Sequence, residues 1–107
     1  MAAPLEEDRL HAALLALIEL LEGLGGRYVS IAMGLRRLTL EVEEAREHER
    51  DSPELLQYAV RKILRLYGGM GSFQDLILQN AQGVLPEQDR FEELQDQLFE
   101  AARDELR

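Results

Sequence analysis

The 107-residue chain contains no cysteine. That absence removes disulfides, thiolate metal sites and a cysteine nucleophile together. Lysine is nearly absent too, with Lys62 the single example, so arginine carries almost all the positive charge. Together with abundant Ala, Leu and Glu, this bias points to a GC-rich bacterial genome. No apolar run has the length of a membrane span: the stretch from Leu10 to Leu21 is short and interrupted by His11 and Glu19. The opening residues, Met-Ala-Ala-Pro-Leu-Glu-Glu-Asp-Arg, carry acid where a secretory leader carries a basic segment followed by an apolar one. A cytoplasmic protein with no membrane contact is the expectation. No internal repeat of useful length is visible, which sets a solenoid aside.

What is present describes an ordinary folded domain. Hydrophobic residues make up 46% and charged residues 31% of the chain, enough for one core and too little length for two. One helical domain over residues 1–107 is expected. The formal net charge is −9 and unevenly spread. Residues 27–50 balance five acids with five arginines, 53–67 are net basic, and 68–107 hold nine acids against three arginines. Such a field repels phosphate backbones and argues against nucleic-acid partners, while leaving a basic protein partner open.

Apolar spacing predicts four main helices. Leu10, Leu14, Leu17, Ile18, Leu21 and Leu24 mark one face of a helix over about 4–23, ended by Gly23, Gly25 and Gly26. Leu15 and Leu20 widen that face, so this helix is either central in the fold or covered by a second subunit. Tyr28, Ile31, Leu35, Leu38, Val42 and Ala45 alternate steps of three and four, the seam of a bundle helix over 27–50. Ser52-Pro53 is a helix start, with Ser52 as the cap, for a third helix running to Tyr67. Phe91, Leu94, Leu98, Phe99, Ala102 and Leu106 give the face of a fourth over 86–106. The expected class is all-α, four main helices in a bundle plus a short helix at 72–80 after a Gly-rich turn.

Catalytic constellations are hard to assemble. His11 and His48 lie on different helices without evident partners, and the chain lacks the Gly-X-Ser-X-Gly context that would make Ser72 a nucleophile. Glu43-Glu44-Ala45-Arg46-Glu47 and Glu93-Leu94-Gln95-Asp96 supply the letters of the magnesium site in all-helical nucleotide pyrophosphohydrolases. In this chain they are separated by a whole helix and the glycine turn, unlike the consecutive helices of those enzymes. Consecutive glycines before a helix can also cradle an anion, but no lysine follows the turn and Asp75 opposes negative charge there. No cofactor is expected.

The remaining feature is Tyr67-Gly68-Gly69-Met70-Gly71-Ser72-Phe73-Gln74-Asp75-Leu76, with three glycines in four residues. Gly68 is placed as a left-handed cap, and Ser72 with Asp75 as a capping box. This string resembles the signature of a small uncharacterised bacterial family, a domain of unknown function in which Tyr-Gly-Gly-Met-Gly-Ser leads into an aromatic or leucine, a polar residue and Asp-Leu. The resemblance implies a small, mainly helical protein and supplies no activity. It makes Gly69, Met70, Gly71, Ser72, Phe73 and Asp75 the candidate partner-binding residues, with glycines shaping the turn and Met70 and Phe73 offering apolar contact. The expected role is that of an acidic interaction or regulatory protein, a homodimer or the binder of another protein. An immunity protein that plugs a basic toxin with Glu92, Glu93 and Asp96 is the second reading, and a magnesium-dependent nucleotide hydrolase the third.

Overall fold

A computed structural model describes residues 8–68 and 73–106. Four helices dominate: α1 Arg9–Leu24, α2 Tyr28–Glu47, α3 Glu54–Arg65 and α4 Gln88–Glu105. Between α3 and α4 lie a 3-10 turn at Phe73–Asp75 and two two-residue strands, β1 Gln79–Asn80 and β2 Gly83–Val84. The strands are antiparallel, with Gln79 opposite Val84 and Asn80 opposite Gly83. Each helix packs on two others, α1 on α2 and α4, α3 on α2 and α4, so the four close a ring around one core. No helix among the described residues is long and apolar enough to cross a membrane.

The apolar stripes explain the ring. Leu10, Leu14, Leu17 and Leu21 of α1 are fully enclosed because this helix is flanked on both sides, which accounts for its wide apolar face. Val42 of α2, Val60 and Ile63 of α3, and Phe91 and Leu98 of α4 complete the centre. Leu15 stays exposed and Leu20 is half-buried against the core.

Several boundaries differ from the spacing-based expectation. Asp8 caps α1 by accepting the His11 backbone N–H at 3.2 Å, and α1 begins at Arg9; Pro4 lies outside the described residues. The second helix stops at Glu47, where the His48 and Glu49 amides bond back to Glu44 and Arg46 and tighten the last turn. Ser52 is not a side-chain cap: its carbonyl accepts the Leu55 amide, and no side chain caps α3. Gly68 is not left-handed either, since among the described residues positive φ occurs only at Gly25, Gly26 and Gly83. The helix expected over 72–80 shrinks to the 3-10 turn, because Gln79 and Asn80 are drawn into a short strand pairing with Gly83 and Val84. Asn80 closes that hairpin by accepting the Gln82 amide on its side-chain oxygen.

At the end where α1 and α3 begin and α2 and α4 finish, Arg46 joins three elements. Its guanidinium donates to both oxygens of Asp8, at 3.0 and 3.1 Å, and to Glu105 at 2.6 Å. Burial works against the Arg46 charge, yet the hydrogen bonds it donates to Asp8 and Glu105 and their negative charges outweigh burial and raise the pKa. Burial likewise pushes the Asp8 carboxyl up, but the Arg46 hydrogen bonds, the His11 amide and the Arg46 charge more than reverse that, leaving it below its usual value.

Two predictions follow from these features. Gly25 has φ 71° and ψ −160°, a conformation open essentially to glycine alone, whereas Gly23 sits in α1 with free space beside it. Gly25→Ala is expected to cost about 1–3 kcal/mol in chemical denaturation, and Gly23→Ala to cost nothing or stabilise by up to about 1 kcal/mol. For Asp8 the lowered folded-state pKa makes its contribution complete above the ordinary value of 3.8 and lost as pH falls through the lowered one. Asp8→Asn keeps a capping oxygen and removes the charge; its urea midpoint should fall below wild type at neutral pH, and the gap should close in acid.

Candidate functional site

The chain between α3 and α4 folds over the opposite end of the ring. Leu66 and Tyr67 leave α3 in a turn, and the Phe73 amide donates to the Leu66 carbonyl at 2.8 Å, fixing both ends of the glycine segment. Gly69, Met70, Gly71 and Ser72 lie outside the described residues, so the expected contacts of Met70 and the capping box of Ser72 lie there too. Phe73 is half-buried: its ring meets Tyr67 edge-on at 5.6 Å and Phe91 at 5.6 Å, and Tyr67 in turn meets Phe99 at 5.1 Å. Asp75 is exposed. The structure thus sets Phe73 into an aromatic cluster and leaves Asp75 facing solvent.

Three polar side chains hold this irregular segment. Gln95 donates its side-chain amide to the Phe73 carbonyl at 2.7 Å, and its backbone carbonyl accepts the Tyr67 hydroxyl at 2.7 Å. Gln88 accepts the Leu78 amide at 2.7 Å and donates to Glu92 at 2.8 Å. The Tyr28 hydroxyl accepts the Gln79 amide at 2.9 Å and lies within donating distance of the Ile77 and Gln79 carbonyls. Leu78, with its amide satisfied in this way and its carbonyl accepting from Leu85, is completely enclosed. Sequence reasoning missed Gln88 and Gln95. Their signal was available: they stand two turns apart on α4, on the face otherwise built from Phe91, Leu94 and Leu98, and both are buried.

Beside this latch, Tyr67, Asp75, Glu92, Gln95, Asp96 and Phe99 line a cleft of about 400 Å³. Burial raises the Tyr67 pKa, and the negative Asp96 adds to that, so its phenol stays a donor to Gln95. Two rings and three carboxylates suit a cationic side chain through ring faces and charge-assisted hydrogen bonds. The two halves of the magnesium pattern sit on α2 and α4, which are opposite members of the ring. No group of three or more His, Asp or Glu among the described residues is arranged to hold a metal ion. His11 is occupied by Glu43 at 2.7 Å.

A family model for a domain of unknown function, DUF6966, matches residues 32–87, just over half of the chain. The chain belongs to the DUF6966 family. This agrees with the expectation of an uncharacterised domain family. The DUF6966 match takes in most of α2, all of α3, the glycine segment and the β1–β2 hairpin, and stops immediately before α4. No curated protein and no solved structure matches the chain.

A second surface stands out on the outer side of α2 and α3. Leu40, Tyr58 and Met33 are 63%, 61% and 55% exposed, and Leu55 joins them. Between the two helices, Leu55, Tyr58 and Ala45 line a cleft of about 390 Å³ rimmed by Glu41, Glu44 and Lys62.

Removing the Tyr28 hydroxyl tests the latch. Tyr28→Phe leaves the Gln79 amide without its acceptor and should cost about 1–2 kcal/mol, with faster amide exchange at Gln79. Tyr58→Phe, altering an exposed hydroxyl, should leave both unchanged.

Proposed function

We propose that this member of the DUF6966 family is a small acidic interaction protein, without an enzymatic role, that works as a self-associated helical bundle in the cytoplasm. The observation that carries the reading is the set of large apolar side chains left on one outer face, Met33, Leu40, Leu55 and Tyr58. Single exposed apolar residues are ordinary, but Met33 and Leu40, two turns apart on α2, together with Leu55 and Tyr58 lining an apolar cleft on the neighbouring helix, suit a surface that meets another protein. The wide apolar stripe of α1 does not compete for this role, since its neighbours in the ring already cover most of it. Gly69, Met70, Gly71, Ser72, Phe73 and Asp75 remain the candidate residues for a further protein partner.

A second reading is favoured by the cleft at Tyr67, Asp75, Glu92, Asp96 and Phe99. Its charge and rings fit a basic protein, as an immunity protein would need for the cleft of a basic toxin. Complementary charge speeds such capture and selects the partner.

Sedimentation equilibrium across about a hundredfold range of concentration tests the main reading. The expected result is a mass that climbs from one copy to two. A single-copy mass throughout overturns it.

A further inference from the structure

Charge on α2 is distributed in a way that singles out what covers this face. Of the charged side chains along the helix, Arg36 pairs with Glu22 at 2.7 Å, Glu43 with His11 at 2.7 Å, and Glu41 with Lys62 at 2.8 Å. Arg46 turns inward to Asp8 and Glu105. Arg37, Glu44 and, at the end of the helix, Glu47 are exposed and make no ion pair among the described residues. Arg37 and Glu44 stand on the same face, Arg37 three residues before Leu40 and Glu44 four residues after it, so the two opposite charges bracket the most exposed leucine among the described residues.

We infer that the face is covered by a second copy of this chain, with α2 packed antiparallel on α2 about a two-fold axis that passes beside Leu40. This rests on the self-association proposed above and names its surface. A two-fold between antiparallel helices sets each residue before the axis against one after it. Arg37 then meets Glu44 of the second copy, the reciprocal contact forms on the other side, and the two Leu40 side chains meet at the centre. Met33 falls at the level of His48 of the second copy, within reach of the cleft between Leu55 and Tyr58, and its flexible side chain suits that irregular apolar lining.

Self-pairing is favoured over a foreign partner by the same charges. A basic partner would meet Arg37 and an acidic one would meet Glu44, whereas an inverted copy satisfies both. Helix α2 also carries four acids against three arginines in a chain of net charge −9, so two copies that approach here meet little net repulsion.

Arg37→Glu and Glu44→Arg, made singly, test the inference by sedimentation equilibrium, with circular dichroism to verify folding. Each alone places like charges at both reciprocal contacts, and the dissociation constant should rise roughly tenfold or more. An equimolar mixture of the two variants restores both opposite-charge contacts and should form the mixed dimer with near wild-type affinity. Leu40→Asp should also dissociate the dimer without lowering helicity. If the wild type dimerises while the charge variants and their mixture behave alike, the α2 interface is wrong and self-association stands. If the wild type is a single copy at every concentration, both are overturned.

Discussion

Burial of irregular backbone is the constraint on which this structure depends. Every amide and carbonyl taken out of water needs a partner, and the stretch from Phe73 to Leu85 has almost no regular structure to supply one. Gln88 and Gln95 provide those partners from α4, and Tyr28 provides another from α2. With those bonds made, Leu78 enters the core and Phe73 joins the rings of Tyr67 and Phe91. The end of the ring is thereby closed by side-chain-to-backbone hydrogen bonds, while the other end is closed by the charges around Arg46.

Helix positions were legible in the sequence because their faces repeat. Leu35, Leu38, Val42 and Ala45 of α2, and Phe91, Leu94, Leu98 and Ala102 of α4, are buried as their spacing implied. What spacing does not carry is the source of polar partners. Ser52 looked like a cap and Gly68 like a left-handed terminus, but neither side-chain chemistry nor glycine freedom is used there, since backbone amides bond within tight turns instead. The hairpin was hidden for a related reason: two residues of strand are too short to show an alternating pattern, and only the Asn80–Gly83 turn announced them. Of the candidate site, Phe73 and Asp75 are placed, while Gln88 and Gln95 were overlooked because a glutamine within an apolar stripe reads as a boundary of the face.

The matched region, 32–87, contains two helices of the ring and the whole segment that closes one end. Of those helices α2 also packs on α1 and α3 also packs on α4, and the closing segment is held by α4. The family-defining portion is therefore not a separable unit in this chain. The outer side of α2 and α3 belongs to this portion, whereas the cleft beside Tyr67 is lined mostly by α4 and shares no lining residue with the cleft between α2 and α3.

The unequal lengths of the connections bear on the order of assembly. Only residues 25–27 join α1 to α2, whereas residues 66–87 separate α3 from α4. Loop-closure entropy rises with the intervening length, so the α1–α2 hairpin should form early and α4 should dock late. Until α4 arrives, one flank of α1 is uncovered and the backbone of the closing segment has no glutamines to meet it. Late arrival also makes α4 the element that crowded, newly made chains would exchange between copies.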